Sequence, residues 1–87
     1  MKKHRWYYVY IVECVYGTYY TGSTHDVEQR LQLHNTGRGA KYLRGKGPVK
    51  LVYCRRYRSR SNALRAESAV KKLTRTQKET LIRMDSR

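Results

Sequence analysis

The chain has no long apolar run, no phenylalanine, one proline, two cysteines and only six acids. Its longest apolar stretch, Trp6 to Val12, is seven residues with three tyrosines and stops at Glu13. A membrane helix needs about 20 apolar residues. Met1-Lys2-Lys3-His4-Arg5 has the charge of a secretory leader, but no small-residue cleavage pattern follows it. A cytoplasmic protein without a membrane partner is expected. Cys14 and Cys54 stand forty residues apart with no C-x-x-C, and His4, His25 and His34 add no metal-ligand spacing. Neither a zinc site nor a redox pair is signalled, so reduced cysteines buried in two strands are expected. No repeat, low-complexity tract or linker divides the sequence, and 87 residues cannot support two cores. One domain over residues 1–87 is expected, with its core at about 6–83.

Against those six acids stand 20 Lys and Arg, a formal net charge of +14. So small a globule repels itself strongly at that charge. A polyanion offsets the repulsion through release of counterions condensed on its phosphates, so nucleic acid is the expected partner. Nine tyrosines and one tryptophan lie among the basic residues, and such rings give bases a stacking surface. No small-molecule cofactor is signalled.

Tyr7 to Glu13 and Thr18 to Ser23 read as strands rich in Tyr, Val, Ile and Thr, joined by a short turn at Val15-Tyr16-Gly17 into an antiparallel hairpin. Asp26 reads as a helix N-cap, with Gln29 completing a capping box. Val27 and Leu31 give that helix its buried side, and Gly37 and Gly39 stop it. Residues 38–48 form a glycine-rich basic loop carrying Lys41, Arg44 and Lys46 and closed by Pro48. Val49 to Tyr57 reads as a third strand, in which Val49, Leu51 and Tyr53 alternate with Lys50 and Val52. Ser61 can cap a second helix to about Leu73, with Ala63, Ala66, Val70 and Leu73 as its core stripe. Thr76 and Glu79 form a further capping box for a last helix carrying Leu81 and Ile82. The expectation is an α/β fold with a small three-stranded antiparallel sheet flanked by helices, in the order β-β-α-β-α-α.

The scarcity of acids also limits chemistry. Two-metal phosphodiester cleavage clusters carboxylates around cations about 3.5–4 Å apart. Here Asp26, Glu28, Glu79 and Asp85 are accounted for by a cap, an exposed helix position, a second cap and the tail, and Glu13 has no neighbouring carboxylate. Glu67, in the middle of the second helix, is left. One carboxylate suits a single Mg²⁺ that keeps several waters. Taken alone, Glu67 is better explained by Lys71 four residues on, a pair worth about 0.2–0.5 kcal/mol to a helix.

Further along, Tyr8-Val9-Tyr10 is followed ten residues after Tyr10 by Tyr20-Thr21-Gly22; Arg30 comes eight residues after Gly22, His34 one helical turn later, and Glu67 beyond the third strand. This ordered set resembles the GIY-YIG nuclease family, whose paired tyrosine motifs sit on two neighbouring strands. It is similar above all to the small stand-alone bacterial members, with sequences like Tyr20-Thr21-Gly22-Ser23-Thr24, Arg30-Leu31, His34-Asn35, Gly39-Ala40-Lys41-Tyr42 and Leu51-Val52-Tyr53. The resemblance implies a metal-dependent endonuclease, expected to act on DNA with Mg²⁺ or Mn²⁺. By that resemblance Tyr10 and Tyr20 line the active site and activate or position the attacking water. Arg30 stabilises charge on the transition-state phosphate, Glu67 binds the metal, and His34 stands near the nucleophile or the scissile phosphate. Arg30 and His34, at i and i+4, project from one helix face.

Two positions depart from the family pattern. Tyr8 stands where the family name has Gly, and Ser23 follows Gly22 where several family nucleases carry a lysine that lowers the motif tyrosine's pKa. Activation would then fall to His34 or Lys41. A separate DNA-binding domain is not expected, and the expected nucleic-acid contacts are Lys41, Arg44 and Lys46 of the loop with Arg55, Arg56, Arg58 and Arg60. Two alternatives stay open: a nucleic-acid-binding module that keeps the fold without turnover, and a basic interaction subunit of a ribonucleoprotein.

Overall fold

The computed structural model describes residues 5–85. Its elements are β1 (Tyr7–Glu13), β2 (Tyr19–Thr24), α1 (Val27–Asn35), a 3₁₀ turn (Lys41–Leu43), β3 (Lys50–Tyr57), α2 (Arg60–Lys71) and α3 (Arg75–Met84). The strands form one antiparallel sheet in the order β2-β1-β3. The expected α/β architecture and element order are present. No helix among the described residues is long and apolar enough to cross a membrane.

The central position of β1 follows from its sequence. An antiparallel strand with one wet face alternates apolar and polar residues, whereas this one is apolar on both sides until Glu13. Val9 and Ile11 pack with Tyr53, Ala63 and Val70, beneath α2 and the Leu81–Ile82 stripe of α3. Tyr10 and Val12 pack on the opposite face with Cys14, Leu43 and Val49, beneath α1 and the 3₁₀ turn. The basic loop is therefore pinned by one apolar residue, Leu43, which is fully buried. Truncating Ile11 to Ala would cost about 2–5 kcal/mol.

The alternation expected of β3 breaks. Ile11 pairs with Tyr53 but Val12 pairs with Leu51, which leaves Val52 as an extra, bulged residue. A one-residue insertion reverses the facing of everything before it. Val49 and Tyr53 thus belong to opposite faces of the sheet, and Leu51 lies 37% exposed. Cys14 is buried just beyond β1 and Cys54 is half-buried in β3, and no disulfide joins them.

The start of α1 is where the sequence placed it, whereas those of α2 and α3 come two residues earlier. Asp26 caps α1, its Oδ1 accepting from the Gln29 amide at 3.0 Å, the forward half of the expected box. For α2 the cap is Ser59, not Ser61: it follows β3 directly with extended backbone, and its hydroxyl accepts from the Asn62 amide at 3.1 Å. For α3 a reciprocal box joins Thr74 to Gln77 rather than Thr76 to Glu79, and Glu79 pairs instead with Arg75 at 3.2 Å. Val27 and Leu31 are only half-buried, and the buried residue of α1 is His34. Arg75 also fastens α3 to the hairpin turn. Its guanidinium donates to the Gly17 carbonyl at 2.8 Å and lies 4.6 Å over the Tyr19 ring. Thr21 is buried on β2, and its hydroxyl has no hydrogen-bond partner among the described residues.

Candidate active site

The β1–β2 register sets Tyr10 opposite Gly22. A Cβ at Gly22 would stand 2.5 Å from the Tyr10 hydroxyl, so glycine is required for the ring to lie there. Beneath it comes His34 of α1. The His34 ring lies 6.0 Å from that of Tyr10 and 5.6 Å, edge-on, from that of Tyr20. The two motif tyrosines are thus organised around one imidazole.

Hydrogen bonds fix which nitrogen carries the proton. The Ala40 amide donates to His34 Nδ1 at 3.2 Å, so Nδ1 is an acceptor. The proton of the neutral ring is then on Nε2, which donates to Tyr10 Oη at 3.0 Å. Burial, aided by the Arg30 charge, holds the His34 pKa below the ordinary histidine value, consistent with a neutral ring. Tyr10 accepts from His34 and keeps its own proton to donate. Burial first, then Tyr20 and Glu67, push its pKa up to about 12 against an opposing pull from Arg30. Tyr10 is 1% exposed and His34 2%. Gly39 does not serve merely to stop α1: a Cβ there would collide with His34 Nδ1. Gly37 is the helix terminator, at φ 78°.

Glu67 reaches the edge strand from α2. Its Oε1 accepts from Ser23 Oγ at 2.6 Å and its Oε2 pairs with Lys71 Nζ at 2.8 Å. Burial alone would raise the Glu67 pKa, but the hydrogen bonds from Lys71 and then Ser23 outweigh it and keep the carboxylate ionised. The same bond raises the Lys71 pKa, to which Tyr20 adds electrostatically. Glu67 thus bears electrostatically on Tyr10, and Tyr20 on Lys71. Among the described residues no three His, Cys, Asp or Glu side chains gather into a cage. A metal ion here would take Glu67 as its protein carboxylate and complete its shell with water. That fits Mg²⁺ or Mn²⁺, since the carboxylate is ionised and each oxygen keeps a lone pair.

The other expected cations fall into separate places. Lys41 and Arg44 are exposed on either side of Leu43, on the same sheet face as Tyr10. The Lys46 carbonyl accepts from the Val15 amide at 3.0 Å, which ties that loop to the hairpin turn. Arg55 and Arg56 lie on β3, the edge opposite β2; Arg56 and Arg58 lie 4.3 and 5.2 Å over the Trp6 ring. Arg60 leaves that group and enters a cleft with Arg30. Sequence reasoning missed the part Ser23 and Lys71 take in the site. Ser23 registered only as an absent lysine and Lys71 only as a helix salt bridge, whereas both hold Glu67.

A three-stranded antiparallel sheet with tyrosines on two adjacent strands and a helix-borne glutamate at its edge defines a class. The sequence profile of the GIY-YIG catalytic domain matches residues 6–80. The chain belongs to the GIY-YIG family, a nuclease family. It is 51% identical over 76 residues to a UPF0213 protein of Streptococcus agalactiae, covering 87% of this chain and 86% of that one. To a UPF0213 protein of Halobacterium salinarum it is 51% identical over 75 residues, covering 86% of this chain and 97% of the other. The solution structure of a UPF0213 protein from Bacillus halodurans is similar at TM-score 0.61 and 47% identity, over 91% of this chain and 84% of that chain. A solution structure from E. faecalis is similar at TM-score 0.65 and 41% identity, over 97% of this chain and 90% of that chain.

Proposed function

We propose that this protein is a metal-dependent endonuclease hydrolysing phosphodiester bonds of nucleic acid, DNA foremost. The observation that carries the reading is the placement of Glu67. It is a carboxylate kept ionised by Ser23 and Lys71, at the strand that carries Tyr20. Glu67 would hold a Mg²⁺ or Mn²⁺ ion, which when bound would supply Lewis acidity to the site. Tyr10, a protonated donor buried against His34, positions the site rather than accepting a proton. Tyr20, half-exposed on the edge strand, is the tyrosine that reaches substrate and attacking water. His34 cannot serve as base: its acceptor nitrogen already takes the Ala40 amide. Arg30, half-exposed on α1, offsets charge on the phosphoryl oxygens in the transition state. Lys71 supplies near Tyr20 the positive charge that a lysine in place of Ser23 would bring. Lys41 and Arg44 hold phosphates without regard to sequence.

One observation favours the second reading, binding without turnover. The Lys71 ammonium already stands against Glu67 where a metal ion would compete with it. The test is incubation with branched, flapped, single-stranded and duplex substrates, with Mg²⁺, with Mn²⁺ and with EDTA, alongside Glu67→Gln. The enzyme reading expects metal-dependent cutting and at least ~100-fold loss in the variant, which removes the charge a metal ligand needs. Binding to nucleic acid with no cutting in any metal establishes the second reading instead.

A further inference from the structure

Arg30 and Arg60 share a cleft of about 230 Å³ between the end of β2, α1 and the start of α2. No acid lines it. Among the described residues neither guanidinium belongs to an ion pair, while Lys71 and Arg75 each have a carboxylate. Two cations in one recess without a counter-charge repel each other, and an anion between them reverses the sign of that interaction. Guanidinium forks match phosphate oxygens in shape as well as charge. Arg60, Ala63 and Leu64 bring the first turns of α2 to the same space.

We propose that this cleft receives a phosphate of the nucleic-acid strand adjacent to the scissile one, with Arg60 as its principal ligand. The recess adjoins the candidate active site through two residues. Ser23 is in its wall and donates to Glu67, while Arg30 is in its wall and acts on Tyr10. It is smaller than the ~300–1,000 Å³ of a small-molecule or cofactor pocket. That volume suits one phosphate and part of its sugar. Tyr7 and Leu64, the latter 44% exposed, provide an apolar wall on which the sugar or base can rest. The assignment separates Arg60 from Arg56 and Arg58, which lie over Trp6 outside this recess.

The inference rests on the nucleic-acid reading above, but its test breaks no bond and needs no metal, so the two fail separately. Thymidine 5′-monophosphate, thymidine and inorganic phosphate are titrated in EDTA into the ¹⁵N-labelled protein. The monophosphate is expected to move the amide resonances of Ser23, Gln29, Arg60 and Leu64, more tightly than inorganic phosphate, while thymidine leaves them in place. Arg60→Gln should weaken monophosphate binding at least ~10-fold, the loss of one charge-assisted contact. Arg65→Gln, which removes an equal charge from the exposed side of α2, should change it less than ~2-fold. Arg60 is exposed at the first helical position, so the variant should keep the wild-type spectrum; Arg60→Lys, retaining charge without the fork, should fall between. Unchanged affinity in Arg60→Gln, or equal weakening in Arg65→Gln, overturns the assignment. Inorganic phosphate binding as tightly as the monophosphate overturns the identification with a nucleotide phosphate.

Discussion

The Tyr10 hydroxyl accepts a hydrogen bond from His34 Nε2 at 3.0 Å, and the opposite nitrogen of the same ring accepts from the Ala40 amide. The imidazole therefore bridges a strand of the sheet to the loop after α1. Its geometry has consequences for stability as well as for chemistry.

One consequence is a pH dependence with a definite sign. The His34 pKa is lower in the folded protein than in the unfolded chain, where it is about 6.5. Between those values the unfolded chain binds more protons, so stability rises with pH. The contribution is fully present above the unfolded value and is lost as pH falls through the folded one. Urea unfolding across pH 5–8 should show that slope, and His34→Gln should flatten it.

Gly22 is required by Tyr10 rather than by its own backbone. Gly22→Ala places a methyl group 2.5 Å from the Tyr10 hydroxyl, so the ring must shift within a packed face. A loss of about 1–3 kcal/mol is expected, the usual cost of overpacking. Chemical denaturation measures it, and disruption of the His34 imidazole resonance would localise the strain.

Thr21 offers a change of opposite direction. Its buried hydroxyl lacks a partner among the described residues, and valine has the same shape without the oxygen. Thr21→Val should stabilise the fold by about 1 kcal/mol by removing an unsatisfied polar group. A melting temperature equal to or below the wild type's would show that the hydroxyl is in fact satisfied.

Ser23→Ala removes the 2.6 Å hydrogen bond from Glu67 while leaving the Lys71 pair in place. Losing a donor to the charged form raises a carboxylate's pKa. On the proposed mechanism, cleavage should drop by about tenfold at neutral pH. The acid limb of the pH–rate profile should move to higher pH. A uniform drop with an unmoved limb would mean that Ser23 acts on something other than the Glu67 proton.

Most of the architecture was legible because β1 is rich in Tyr, Val and Ile, residues that favour strands, and is bounded by turn residues. The ordered tyrosines, Arg30 and Glu67 carried the family. What could not be read depends on contacts remote in sequence. The extra residue at Val52 reverses the facing of Leu51 without altering the apolar content of β3, so alternation alone misplaced it. Ser61 and Thr76 are good caps by composition, yet Ser59 and Thr74 come first along the chain with the backbone already extended. His34 reads as a site residue, but its burial, with Tyr10 and the Ala40 amide satisfying both nitrogens, leaves no mark in the local sequence. Ser23 and Glu67 stand 44 residues apart, and no local pattern joins them.

The burial of Tyr10 has a bearing on how this sequence would change over generations. The tyrosine that closes the first family motif is also a filled position of the central strand, locked to His34 and made possible by Gly22. Folding alone would eliminate most replacements at these three positions. A lineage that ceased to cut nucleic acid would therefore go on displaying the tyrosine, the glycine and the histidine for as long as it needed the fold. Drift would appear first at Arg30, Glu67 and Lys71, which the core does not hold. Those three, rather than the signature itself, are where loss of the reaction would be recorded.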